Sequence, residues 1–168
     1  MSGLSISRLS RFFVYATIFN LIVAVAITTP VIVPEFTFPI ILTVWPGTWM
    51  FIAYFAFLIV GVLGSLGWSV LLNVIEDRFH RNKVNRYMAE AHFALTYVGV
   101  YGATTLMFRI GYVGGNAILS EVGKGVVTQG LIGWMVVPLG IFLYLYIIGT
   151  VLGIANVILT LARTESGM

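Results

Sequence analysis

Residues 49–61 read WMFIAYFAFLIVG: apolar throughout, dense in aromatic rings, and without a charged side chain or a residue that routinely binds a metal. The apolar character continues past Gly61 as far as residue 75, interrupted only by small or uncharged polar residues, before Glu76 and Asp77. A bilayer core is crossed by about 20 apolar residues in helical form, so a segment over 48–75 has length to spare. Whether it is a cofactor-bearing helix or a spanning helix alone decides both fold and function.

Three more apolar segments flank it, roughly at 12–29, 87–112 and 129–162. Of the 168 residues 60% are hydrophobic and 9% charged, and the mean hydropathy is +1.02, whereas soluble domains carry about 25% charged residues. In lipid every backbone N–H and C=O must be satisfied within the chain, which favours helices for segments of this length. The sequence therefore predicts an all-α integral membrane protein, a four-transmembrane-helix bundle forming one domain over 1–168. Arg8 and Arg11 precede the first segment as in a secretory signal, but the run is long and bulky, and Thr28-Thr29-Pro30 makes a poor cleavage site. An uncleaved first helix is expected.

Prolines 30, 34, 39 and 46 predict that residues 30–47 form no regular helix. This apolar connection, with Trp45, is expected at the membrane surface or against a neighbour. The connection EDRFHRNKVNR at 76–86 is short and charged, and 114–128 is Gly-rich, with room for a short interfacial turn. Pro138 predicts a kink in the fourth helix.

Arg8, Arg11, Arg78, Arg81, Lys83, Arg86 and Arg163 fall on one side of an even-numbered bundle, against Arg109 and Lys124 on the other. The positive-inside rule then makes both termini cytoplasmic. A net charge of +3 spread over loop ends is no continuous basic stripe, so no nucleic-acid partner is expected. With no cysteine, disulfides, thiolate metal sites, iron–sulfur clusters and c-type haem attachment are excluded.

Small residues allow helices to approach closely in lipid. Gly61, Ser65 and Ser69 recur at intervals of four on the second helix, and Gly149 with Gly153 forms GxxxG on the fourth. Both faces are expected to pack within the chain, with a subunit contact as the alternative. Chemistry-bearing residues are sparse. His80 belongs to a charged loop, and His92, Glu90 and Arg109 lie near helix ends, where reaching the interface is the expected role. Glu90 follows Arg86 by one turn, the spacing of an ion pair. The methionines are dispersed, so no copper cluster is predicted.

The stretch NRYMAEAHFALTYVGVYGATTLMFRIGY, 85–112, resembles the eleventh helix of the catalytic subunit (subunit I) of haem-copper oxidases at His92-Phe93, Gly99, Met107 and Gly111. The opening stretch, through Ala53 to Ile59 and Gly61, looks like that subunit's tenth helix, with Tyr54 and Ala56 where the family's two haem-ligating histidines stand. Thr48 matches a family threonine, while Pro46 and Gly47 replace a His-Asp pair. The resemblance covers most of the chain as the family's last four helices. It implies that the histidine at position 92 is no haem or copper ligand and that the ligand positions are lost.

The resulting expectation is a non-catalytic accessory subunit, not itself an enzyme, packed within a larger membrane oxidoreductase of terminal-oxidase or copper-dependent monooxygenase type. Haem or copper would belong to partner subunits, with no cofactor in this chain. The expected partners are other integral membrane subunits, lipid and quinone. The expected location is a prokaryotic plasma membrane, in a respiratory electron-transport chain. One alternative is a haem-binding electron carrier using His92, with Tyr54 or a partner's ligand. Another is a small transporter or channel, against which the lack of paired buried charges argues.

Overall fold

The computed structural model describes residues 8–43, 45–78, 84–120, 130 and 132–165. Helix α1 runs over Arg8–Ile32, α2 over Pro34–Leu42 and α3 over Thr48–Ala56. A π-helical segment, Phe57–Leu63, continues α3 directly into α4, Gly64–Arg78. Helix α5 covers Arg86–Leu119, and a 3₁₀ turn at Gly133–Met135 leads into α6, Val136–Glu165. Among the described residues no strand occurs, and four stretches are long and apolar enough to cross a membrane: Leu9–Thr29, Thr48–Asp77, Arg86–Leu119 and Gly133–Ala162. The described residues are thus all-helical, with four spans consistent with a multi-pass membrane protein.

The prolines act differently from the expectation. Residues 34–42 are helical: Val33 is extended, Pro34 opens α2 where its missing N–H is no loss, and Thr37 bonds back to the Val31 and Val33 carbonyls. Pro39 lies inside α2 and gives no N–H to the Glu35 carbonyl, yet the helix continues past it to Leu42. Pro138 falls in the first turn of α6 rather than mid-helix, where its ring meets no preceding turn of α-helix. Helix α5 runs about two turns beyond residue 112, so 114–119 is helix and not an interfacial turn. The remainder of that connection, residues 121–129, lies outside the described residues.

Helix α5 is the element the others lean on. Its N-terminus is capped by the Asn85 side chain, which accepts from the Met88 N–H at 3.2 Å. Asn85 is also clasped by α6: the Asn156 amide donates to the Asn85 carbonyl at 3.0 Å, and its oxygen accepts the Asn85 N–H at 3.1 Å. Glycines along α5 then admit its neighbours. A Cβ on Gly99 would lie 2.6 Å from the backbone nitrogen of Tyr146, and one on Gly102 would strike the Phe142 ring. Farther along, Gly111 lies against the backbone of Met50, Gly114 against the Pro46 ring and Gly115 against Ile40. Pro46 follows a cis peptide bond from Trp45.

Helix α6 is notched to match: a Cβ on Gly149 would come within 2.8 Å of the Thr96 nitrogen. Helices α5 and α6 therefore touch backbone to backbone, α3 packs on α5 as well, sharing a core of Ala53, Ala103, Met107, Ile110 and Leu139 with them, and α1 packs along α4 and the π segment. Apolar side chains such as Val25, Ile59, Val70 and Val151 cover the exposed faces, as a lipid-facing surface requires.

Enlarging Gly99 to leucine should force α6 off α5 and lower stability by about 1–3 kcal/mol. Gly140→Leu, on an α6 glycine with open space around it, should leave stability unchanged. Thermal unfolding in detergent micelles compares the two, and equal effects would disprove the notched-helix account.

Candidate functional site

Depth in the membrane can be read from the charged and aromatic ends. Arg86 pairs with Glu90 at 2.6 Å on an exposed rim at one end of the bundle, as their spacing predicts. At the other end Arg109 lies over the Trp134 ring, 5.7 Å from its centroid. These rims are about 20–25 residues apart along α5 and α6, which matches the roughly 30 Å hydrocarbon thickness.

Midway between them, α1 places Asn20, with no exposed surface, against the π segment. The Asn20 amide donates to the Gly61 carbonyl and to the Tyr97 hydroxyl at 3.2 Å, and its oxygen accepts from the Tyr101 hydroxyl. Thr17 donates to Ser65 Oγ at 3.1 Å, and Ser65 in turn donates to the Gly61 carbonyl. The π geometry shifts backbone bonding by one residue, the Gly64 N–H reaching back to the Ile59 carbonyl. The Gly61 carbonyl takes two side-chain donors at this shift. A cavity of about 30 Å³ adjoins the cluster, bounded by Trp68, Thr96, Tyr97 and Tyr146, which is the scale of a water molecule and too small for an aromatic ring.

The helix face of Gly61, Ser65 and Ser69 lies against α1, with Ser10 donating to the Ser69 carbonyl at 3.0 Å. Gly149 and Gly153 lie against α5, Gly149 making room for the chain at Leu95 and Thr96 and Gly153 for His92. The imidazole is 1% exposed, stacked on Phe13 at 5.5 Å and beside the Trp68 ring at 4.2 Å. A Cβ on Gly153 would stand 2.8 Å from its Nδ1. His92 Nδ1 lies 2.7 Å from the Gly149 carbonyl; a carbonyl only accepts, so Nδ1 carries the hydrogen. In the neutral ring Nε2 is then a bare acceptor, enclosed without a hydrogen-bond partner among the described residues. The expectation that His92 reaches the interface does not hold, because the glycine notch on α6 and the rings of Phe13 and Trp68 seal it inside. His80 lies outside the described residues.

Tyr54 is half-buried, its hydroxyl 2.9 Å from that of Thr28. Thr28 gives its own hydrogen to the Ala24 carbonyl at 2.7 Å, so the Tyr54 hydroxyl is the donor between them. Tyr54 lines an apolar groove of about 390 Å³ with Ala53, Phe57, Tyr101, Thr104 and Phe108, a ligand-sized space between α1, α3 and α5. Ala56 is absent from its walls. The structure thus brings Tyr54 and His92 to no common site. Among the described residues no three His, Cys, Asp or Glu side chains converge as a metal site would need.

Reading motifs missed Asn20, Tyr97 and Tyr101, the residues that form the polar centre. A signal was present: Asn20 is the lone amide in the otherwise unbroken run FFVYATIFNLIVAVAITT, and amides at membrane depth need a partner.

Removing one member strands the others. Asn20→Leu should destabilise the protein by about 1–2 kcal/mol, Tyr101→Phe by about 0.5–1 kcal/mol, and the double variant by less than the sum. A double-mutant cycle on unfolding free energies measures this, and strict additivity would refute the Asn20–Tyr101 bond.

Comparison with known protein families, curated proteins and solved structures finds no match, and nothing in it links the chain to haem-copper oxidase subunit I.

Proposed function

We propose that the chain is a non-catalytic integral membrane subunit, similar to the last four helices of haem-copper oxidase subunit I, that packs within a larger membrane oxidoreductase. The observation that supports this reading most is the use made of His92. Its Nδ1 hydrogen is taken by the Gly149 carbonyl, its faces are covered by Phe13 and Trp68, and α6 carries glycine where a side chain would collide with it. The imidazole serves as a polar spacer that fixes the α5–α6 distance. Tyr54 is likewise engaged with Thr28. The redox chemistry then belongs to partner subunits holding haem or copper, and the groove beside Tyr54 is filled by lipid or quinone.

In this reading the rim of Arg11, Arg86 and Glu90 faces the cytoplasm of a prokaryotic cell, as do both termini, and Arg109 with Trp134 faces outward. The natural absence of cysteine makes the orientation directly measurable. Single cysteines at Ser5 and Ser166 should be protected from a membrane-impermeant maleimide in intact cells, and one at Ser120 should react. The reverse pattern would overturn the topology.

One observation favours a second reading, in which His92 is a haem ligand: a histidine with Nδ1–H held by a backbone carbonyl and Nε2 bare is in the tautomer that ligands adopt. That reading requires the Phe13–Trp68 enclosure to open. Isolation of the native complex, with its subunits identified by mass spectrometry and its absorption spectrum recorded, separates the two. The subunit reading expects co-purifying membrane proteins and any haem absorption unchanged by His92→Ala. A haem band retained by the isolated chain and lost in His92→Ala would replace it with the carrier reading.

A further inference from the structure

The groove beside Tyr54 occupies one half of the membrane. Tyr101 lies about 12 Å along α5 from Arg109. Its ring meets that of Phe57 edge to face at 5.4 Å, and the pair lines the groove's inner end, while Phe108 lines it next to Arg109. The groove thus runs from mid-membrane to the rim of Arg109 and Trp134, the depth of one leaflet in a hydrocarbon layer about 30 Å thick. Its walls are apolar apart from hydroxyls, and those in its depth have committed their hydrogens. Tyr54 donates to Thr28, Tyr101 to the Asn20 oxygen, and Thr104 to the Val100 carbonyl at 2.7 Å. Two groups stay uncommitted, both toward the rim. Thr105, exposed at the groove's edge, donates to none of the described residues. Arg109, one turn farther along the same side of α5, is exposed and pairs with no carboxylate among the described residues; its charge meets the Trp134 ring.

We infer that the groove holds the hydrocarbon chain of an anionic phospholipid from the leaflet on the Arg109 side, with the phosphate on Arg109 and an oxygen of the glycerol linkage on Thr105. The chain fills space that offers apolar contact and no free donor. The two uncommitted groups stand one helical turn apart, about 6 Å along the axis, in the order in which a phospholipid presents its linkage oxygens and, nearer water, its phosphate. A guanidinium offers a full charge together with a fork of N–H donors, and a phosphate takes up both. A neutral quinone would leave that charge uncompensated and would bring its ring carbonyls to no donor inside the groove. A zwitterionic headgroup would set its own cation near Arg109, which favours a headgroup of net negative charge. This inference rests on the groove's place in the proposed function, as a site for lipid or quinone, and selects between the two by hydrogen-bond inventory and charge.

Native mass spectrometry of the full chain, released from micelles doped with equal amounts of phosphatidylglycerol and phosphatidylcholine, tests it. The expected spectrum shows phosphatidylglycerol retained in preference to phosphatidylcholine. Arg109→Gln should lower that preference roughly fivefold, whereas Arg11→Gln, which removes an exposed arginine at the opposite end of the bundle, should leave it unchanged. Thr105→Val should weaken retention of both lipids by roughly two- to tenfold. Ala26→Trp, which builds a ring into the groove from its α1 wall, should release both. Thermal unfolding in the same micelles identifies the variants that fold, and the comparison of Arg109→Gln with Arg11→Gln decides the matter even if Ala26→Trp does not. Equal retention of the two lipids by the unaltered chain would overturn the inference, as would an equal loss of preference in the two arginine variants, or full retention by folded Thr105→Val or Ala26→Trp. A short-tailed ubiquinone that displaces the phosphatidylglycerol would give the groove to quinone and overturn the choice of occupant. None of these outcomes bears on which membrane proteins co-purify with the chain, so failure here leaves the subunit reading to its own test.

Discussion

Apolar surface gains nothing by being hidden from lipid, so a membrane bundle is held by how closely its backbones approach and by the few polar groups that find each other. In this chain both requirements fall on α5. Gly99 and Gly102 let α6 in on one side, while Gly111, Gly114 and Gly115 receive Met50, Pro46 and Ile40 from α3 and the segment before it. The helix is long, over Arg86–Leu119, and its glycines divide it into a half that receives α6 and a half that receives α3. Each contact is short because a hydrogen stands where a Cβ would collide.

Polar groups supply what close packing does not: register. The Asn20 amide can meet the Gly61 carbonyl and the Tyr97 and Tyr101 hydroxyls in one axial position of α1. A slide by one turn would break all three of these bonds in hydrocarbon. The π segment belongs to the same arrangement, since it re-aims the backbone at the level where α1 and α5 converge. His92 performs the corresponding service between α5 and α6, its Nδ1 fixed on one carbonyl of the facing helix. Polar chemistry that would mark an active site in a soluble protein acts here as a set of axial stops.

The four spans were legible because length and hydropathy decide them, and so was the Arg86–Glu90 pair, which depends on local spacing alone. What escaped depends on which helix faces which. His92 reads as a residue near a helix end until Gly149 and Gly153 are known to stand opposite it. The GxxxG motif announces a close contact without naming what enters it. The prolines misled for a related reason: Pro34 and Pro138 are helix breakers by composition and helix openers by position, and position is settled by where the preceding chain turns. Of the polar centre, Asn20 could have been singled out as an amide in an apolar run, but Tyr97 and Tyr101 gain their meaning only from α1 lying beside them.

The clasp between Asn156 and Asn85 bears on the order in which the protein is made. Both polar atoms of the Asn156 side chain close on the backbone of Asn85, the residue that caps α5, and Asn156 is supplied by α6, which follows α5 in the chain. During synthesis α1 to α5 leave the ribosome before it. Until it arrives, α5 lacks this second hold on its capping residue, and the notches at Gly99 and Gly102 are without the α6 side of their contact. Helix α6 therefore completes the central helix, and its loss reaches the middle of the bundle rather than its edge.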